Sequence, residues 1–363
     1  MCKNKLRQTL WTSLLVVALL VFAAACGGGS SDSNADAEGE ADSGAAATEE
    51  ADAATEVERV PIVWANYGSS QMAPAFADRL SIEYIGANTK FDVDYKPDGV
   101  LGNEADIMQQ IIDGTIQLAS IGTSTMATYT DLLEVFQLPF LIGDYDAERE
   151  ILYSDEANAL FEAAGEQVGV QIVGRSENGI RHFANNIRPV KTVADLKGLK
   201  LRIVPSNMLT EAIGALGAMP QSVAYAETYS ALQNGVVDGE EINLTSVYAM
   251  KHYEVLKYMS LIGMYPFPQL VIANQAWWDS LTAEEQDAIL TACRMGADEL
   301  FAKFLPDYEA EATTVCEEAG LVFNVIEGAE RDAFVELVQP VWDQYAAKDP
   351  KIKALMDYAI SLQ

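Results

Sequence analysis

From about residue 58 onward, apolar and polar positions switch repeatedly between the strand and helix periods. VPIVWAN (60–66) is a near-continuous apolar run, the pattern of a strand buried on both faces. Helical spacing follows from Ala73 to about Ala87, then KFDVDYKP reads as a strand that Pro97 closes. LGNEADIMQQIIDG sets Ile107, Met108, Ile111 and Ile112 on one helical stripe and stops at Gly114, and the strand TIQLASIG comes at once. A second set begins near Gln171. GVQIVGRSE and GIRHFANN read as strands, TVADLKG as a helical turn and LKLRIVP as another buried strand. Helices are expected from Asn207 to Leu216, stopped by Gly217, and over AETYSALQNG, stopped by Gly235, with VVDGEE as a short strand after it. In LTAEEQDAILTACRMGADELFAKFL, Thr282 with Glu285 three residues on forms a capping box. DAFVELVQPVWDQYA and KIKALMDYAISL are further amphipathic helices. Strands alternating with helices at this spacing predict an α/β protein with mostly parallel sheets.

One plan occurs twice. QQIIDGTIQLASIG (109–122) and SALQNGVVDGEEIN (230–243) both run helix, glycine, short strand, loop. Two domains built alike and facing each other place these strand ends on opposite walls of one cleft, where ligands of open α/β sheets bind.

The N-terminus belongs to neither domain. Lys3, Lys5 and Arg7 precede an apolar run from Leu10 to Ala25, and Ala23, Ala24 and Ala25 lead into Cys26. This is the layout of an export signal, and it resembles a bacterial lipoprotein signal in which Cys26 carries the lipid, with Ala in place of the usual Leu three residues before it. Residues 27–58 hold ten acidic residues and no basic or aromatic one, so they are expected to form a disordered acidic tether. No later stretch reaches the ~20 apolar residues of a spanning helix. A formal net charge of −31 argues against a nucleic-acid partner, which needs clustered Lys and Arg. Cys293 and Cys316 are expected to stay unpaired. On one continuous helix they would stand about 35 Å apart, and only a hairpin broken near Pro306 brings them together.

Several of these segments carry family motifs. LGNEADIMQQIIDGTIQLA, LPFL (138–141), ENGIRHFANNIRPVKTVADLKGLKLR, ALGAMP, AETYSALQNGVVDGEE, YEVLKYMS and WWDSLTAEEQDAI resemble the solute-binding subunits of tripartite ATP-independent periplasmic (TRAP) transporters, of the dicarboxylate-binding (DctP-like) type. They come in family order over most of the chain. The resemblance implies the two-domain periplasmic-binding-protein (Venus-flytrap) fold, α/β, with a long helix spanning both domains. The implied division is 1–26 signal, 27–58 tether, 59–180 plus 268–305 as domain I, and 181–267 plus 306–363 as domain II with the C-terminal helices. It implies an extracytoplasmic location, a small organic acid as ligand and two integral membrane subunits as partners, with no cofactor and no metal. A binding protein of an ATP-driven importer and a ligand-sensing lipoprotein for a receptor kinase are the alternatives.

The resemblance also nominates residues. Arg202, at the end of LKLRIVP, matches the family's carboxylate-clamping arginine, and a guanidinium suits this task because it grips a carboxylate with two parallel charge-assisted hydrogen bonds. Pro205 comes one place later than in the family pattern. Arg181 matches the second arginine, and a structural ion pair is the competing role for both. Asn66 and Glu104 match ligand-touching positions of the first domain. Thr123 follows a strand end, and Tyr225 suits an aromatic floor. Where the family often reads VDGQEN this chain reads VDGEEIN, so Ile242 stands in for a ligand-binding Asn and Asn243 comes one later. An aliphatic wall there predicts a ligand less hydroxylated than a sugar acid.

Catalysis has little to rest on. His182 and His252 are the two histidines, and neither has a Cys or Asp partner at ligand spacing. No G-x-S-x-G elbow, Walker loop or dinucleotide fingerprint occurs.

Overall fold

The computed structural model describes residues 58–363. The signal, the tether and Cys26 fall outside the described residues. Eleven strands form two sheets among the described residues. The first sheet holds β1 (Val60–Asn66), β2 (Phe91–Lys96), β3 (Leu118–Gly122), β4 (Val170–Glu177) and β10 (Pro268–Asn274), in the order β2-β1-β3-β10-β4. The second holds β5 (Arg181–Asn185), β6 (Lys200–Ile203), β7 (Met219–Ser222), β8 (Gly239–Asn243), β9 (Tyr258–Leu261) and β11 (Val322–Val325), in the order β11-β9-β5-β8-β6-β7. β1, β2 and β3 are parallel, as the βαβ pattern requires, but β10 runs antiparallel to both β3 and β4. It arrives from the other sheet instead of through a helix, so it enters from the opposite end.

The repeated plan is present in three dimensions. Gly114 (φ 76°) and Gly235 (φ 69°) each end a helix in the left-handed region that favours glycine. Each is followed by a fully buried central strand, β3 or β8, and then by a short helix, Thr123–Met126 or Leu244–Ala249.

The chain passes between the sheets three times: from β4 to β5, from β9 to β10, and along the helix that starts at Ala283. That helix begins with the expected capping box, Thr282 accepting from the Glu285 backbone and Glu285 from the Thr282 backbone. It runs as Ala283–Glu299, a π turn at Leu300–Phe304 and Leu305–Glu318. Pro306 lacks a backbone donor and its ring crowds the preceding turn, which a locally widened turn relieves. The first part packs on the helix Ala73–Asn88 and on β4, the last on Leu244–Ala249, so one helix braces both lobes. Phe76, Phe304, Tyr308 and Tyr248 form an aromatic ladder along it, with centroids 4.2, 5.1 and 5.4 Å apart in turn. Cys293 and Cys316 sit on its two halves, both buried and free.

The last helix, Pro350–Ser361, packs against Asp155–Val168 and against Gly328–Ala346. Its buried stripe of Ile352, Leu355, Met356 and Ala359 shares one apolar cluster with Leu160 and Phe161. No helix among the described residues is long and apolar enough to cross a membrane.

Candidate ligand-binding cleft

A cavity of about 690 Å³ opens where the carboxyl ends of the strands meet. The first-lobe wall comes from Tyr67, just past β1, from Asp98 in the turn after β2, from Glu104, and from Ser124, Thr125 and Thr128 after β3. The opposite wall comes from Pro205, Ala224, Tyr225, Ala226 and Met250. The walls touch where the Tyr67 and Tyr225 rings meet edge-on, 6.3 Å between centroids, and where the Tyr225 hydroxyl reaches Met72 Sδ at 3.5 Å.

Glu104 opens the helix Glu104–Ile112, whose N-cap Asn103 accepts from the Ala105 and Asp106 backbones. Thr125 Oγ1 donates to Glu104 Oε1 at 2.6 Å. Burial raises the Glu104 carboxyl above the ordinary range, and the Thr125 hydrogen bond and the Arg202 charge pull it partway back. Burial likewise pushes the Tyr225 phenol up to about 12.

Arg202 is fully buried on β6. Its Nε donates to the Val223 carbonyl at 2.9 Å, and its charge acts on both Glu104 and Tyr225. Nη1 and Nη2 have no hydrogen-bond partner among the described residues. Buried donors are almost always paired, so these two nitrogens depart from the ordinary pattern of protein interiors.

Arg181 has the opposite fate. Nε donates to Glu241 Oε2 at 2.7 Å, Nη2 to the Glu241 carbonyl at 2.9 Å and Nη1 to Asn243 Oδ1 at 3.3 Å. Tyr265 closes the group by donating to Glu241 Oε2 at 2.6 Å. This is the structural ion pair that competed with a ligand role. Asn243 is spent in the same network, its amide donating to Thr245 Oγ1 at 2.9 Å and to the Asn178 carbonyl.

Of the nominees, Glu104 and Tyr225 line the cavity, whereas Arg202, Arg181, Asn243 and the remaining three do not. Asn66 is buried, donating to Asp78 Oδ2 at 2.7 Å and accepting from the Gly68 backbone at 2.8 Å. Thr123 is fully buried beside Gln137, and Thr125, two residues further along its short helix and so on the other face, lines the cavity instead. Ile242 lies in an apolar cluster with Leu232, Leu244, Val247 and Leu256, so it backs Tyr225 and does not itself form the wall. The inference of a less hydroxylated ligand drawn from Ile242 therefore has no wall contact beneath it. Tyr67, Asp98, Ser124 and Thr125 were missed from sequence, although each lies just beyond a strand's carboxyl end, where ligands of such sheets bind.

Comparison with known proteins agrees with this geometry. Residues 70–349 match the DctP family, described as bacterial extracellular solute-binding protein, family 7. The C4-dicarboxylate-binding periplasmic protein DctP of Vibrio cholerae is 30% identical over 260 residues, 69% of this chain and 74% of that protein. The 2,3-diketo-L-gulonate-binding periplasmic protein YiaO of Escherichia coli is 31% identical over 256 residues, 70% of this chain and 77% of that protein. Among solved structures, a TRAP periplasmic solute-binding protein from Sulfitobacter sp. NAS-14.1 with bound β-D-galacturonate superposes with a TM-score of 0.76 at 26% identity, covering 82% of this chain and 99% of that one.

Proposed function

Because the chain belongs to the DctP family of bacterial extracellular solute-binding proteins, we propose that it captures a small organic acid in the cleft and delivers it to the membrane subunits of a TRAP transporter. The observation that carries this reading is Arg202, a buried guanidinium whose two terminal nitrogens have no partner within the described residues. The relatives' ligands named above are acids, and a carboxylate supplies the two acceptors that these nitrogens lack.

Arg202 is the proposed clamp, Glu104 with Thr125 the polar contact on the facing wall, and Tyr225 the floor. Arg181, Asn243, Asn66 and Thr123 are assigned the supporting role of holding the strand ends, and Ile242 that of packing behind Tyr225. Ligand contacts to both walls favour the closed arrangement, and closure excludes water from the ion pair. The protein binds its ligand without transforming it. The lipid anchor at Cys26 is part of the same proposal and rests on the sequence of residues 1–26.

Thermal unfolding against a panel of small carboxylic acids tests the reading, in parallel with Arg202→Ala. A ligand at 100-fold its Kd adds about 2.7 kcal/mol, a midpoint rise of roughly 2–4 °C per kcal/mol at this size. Acids are expected to shift the wild type and not the variant, since a desolvated, unpaired carboxylate costs about 3–5 kcal/mol, or roughly 10²–10³-fold in affinity. Shifts with sugars, amines or peptides but with no acid would overturn both the ligand class and the role of Arg202.

A further inference from the structure

A second buried acid stands beside the proposed clamp. Arg202 on β6 and Glu240 on β8 are register partners, so their side chains leave the sheet on the same face. His252 reaches the same place from a short turn, its Nδ1 lying 2.8 Å from Glu240 Oε1. All three side chains are fully buried. Yet Arg202 Nη1 and Nη2, Glu240 Oε2 and His252 Nε2 have no hydrogen-bond partner among the described residues. Unsatisfied polar atoms on three neighbouring buried side chains are far outside the ordinary pattern of protein interiors. Tyr225 covers the group from the cavity side. Its ring centroid is 6.0 Å from Arg202 Cζ and 6.4 Å from the centre of the His252 ring, and the same residue lines the cavity.

The polarity of these atoms is specific. A carboxylate only accepts, so Glu240 Oε2 calls for a donor. Two free donors from Arg202 thus share one sheet face with a free acceptor from Glu240. A carboxylate alone satisfies the donors and leaves the acceptor unpaired. A ligand that satisfies both sets carries a hydrogen-bond donor on the carbon next to its carboxylate.

We propose that the face of the second sheet behind Tyr225 is a subsite for acids bearing a hydroxyl or ammonium group at the 2-position, with the carboxylate held by Arg202 and the 2-substituent by Glu240, which His252 positions. This deepens the organic-acid reading and rests on it. A 2-oxo acid presents an acceptor to the Glu240 carboxylate, and a 2-unsubstituted acid leaves that carboxylate buried with nothing to bind, so both are disfavoured.

Titration calorimetry on the full-length chain in detergent micelles tests the subsite with matched acids: lactate, alanine, pyruvate and propanoate, and gluconate against 2-deoxygluconate. In at least one matched set the 2-hydroxy or 2-amino acid is expected to bind roughly tenfold or more tightly than its 2-oxo or unsubstituted counterpart. Lactate against alanine decides between hydroxyl and ammonium. Glu240→Gln, which keeps the shape and removes the charge, is expected to bring that preference to within about threefold while unsubstituted acids bind as well or better. If circular dichroism shows that this variant does not fold, His252→Gln is read in the same way. Equal affinities across each matched set, or a preference that survives substitution of Glu240, overturn the subsite and leave the organic-acid reading standing. If no acid binds, or if Arg202→Ala binds acids as the wild type does, the organic-acid reading itself fails and takes the subsite with it.

Discussion

Arg181 and Arg202 are buried on strands that flank β8, but they occupy opposite faces of the second sheet. Arg181 pairs in register with Asn243 and shares its face with Glu241, whereas Arg202 pairs with Glu240. Alternation along β8 therefore sends Glu241 and Asn243 to one arginine and Glu240 and Ile242 toward the other. The two arginines have different tasks, and unfolding measured without ligand separates them. Arg181→Met is expected to destabilise the empty protein by about 3–5 kcal/mol, because it strands Glu241 as a buried unpaired charge. Arg202→Met, which removes two unsatisfied donors along with the charge beside Glu240, is expected to cost clearly less than Arg181→Met. Equal losses in urea denaturation would contradict this division.

Asp78 gives the fold a dependence on pH. Burial pushes its carboxyl up from the unperturbed 3.8 to about 6, although Asn66, Ser120, Tyr95 and Arg79 all oppose the rise. A carboxyl whose folded-state value is raised gives its full stability below the unfolded value and loses it as pH climbs through the folded one. The contribution of Asp78 is therefore present below about pH 4 and gone above about pH 6, a difference of about 3 kcal/mol at about 1.4 kcal/mol per pH unit. Asp78→Asn is expected to flatten this part of the profile. Denaturant midpoints at pH 4, 5, 6 and 7 check it, and an unchanged slope would count against the assignment.

Glu148 and Glu177 adjoin in the interior, both fully buried. Glu177 Oε1 accepts from the Gly179 and Phe267 backbones, on the two strand crossovers, whereas neither Glu148 oxygen has a donor among the described residues. Burial raises both carboxyls, and the charge of Glu177 raises Glu148 further. By the same sign, the stability that Glu148 contributes when protonated is lost as pH rises. Glu148→Gln is expected to raise the unfolding midpoint at pH 8 by roughly 2–4 °C or more, with a smaller gain at pH 5. A variant destabilised equally at both pH values would refute it.

The two thiols of the long helix are expected to be unreactive in the folded protein. Burial pushes the Cys316 thiol up to about 12 and that of Cys293 higher still, so almost no thiolate forms at neutral pH. Iodoacetamide labelling read peptide by peptide should mark both only after unfolding in urea. Rapid labelling of either under native conditions would show that its half of the helix opens.

The N-terminal proposal has its own readout. Cells given labelled palmitate should incorporate it into this protein, and Cys26→Ser should abolish incorporation. Label retained in the serine variant would place the lipid elsewhere or remove the anchor.

Much of the fold was legible because short-range chemistry decided it. The box at Thr282 and Glu285, the stops at Gly114 and Gly235 and the buried runs of β1 and β6 are read from neighbours in sequence. The direction of β10 was not legible, because nothing within seven apolar-looking residues records which sheet the chain has just left. The site shows the same boundary. Arg202 was nominated by its match to a family position at the end of LKLRIVP, but Thr123 was nominated where Thr125 faces the cavity, since a four-residue helix turns its side chains through angles that strand spacing does not reveal. The alternation of β8 is visible in VDGEEIN, yet which face meets the cleft depends on how β5 and β6 lie beside it.

The unpartnered tips of Arg202 bear on the life of the molecule outside the cytoplasm as well as on its affinity. Desolvated donors with nothing to hold make the empty form the weaker one, and ligand raises the barrier to opening. Proteases encounter a protein through its opened states, so starvation for the solute selects copies for removal while plenty protects them. The number of copies present would then follow the supply of their own cargo, with no gene being switched.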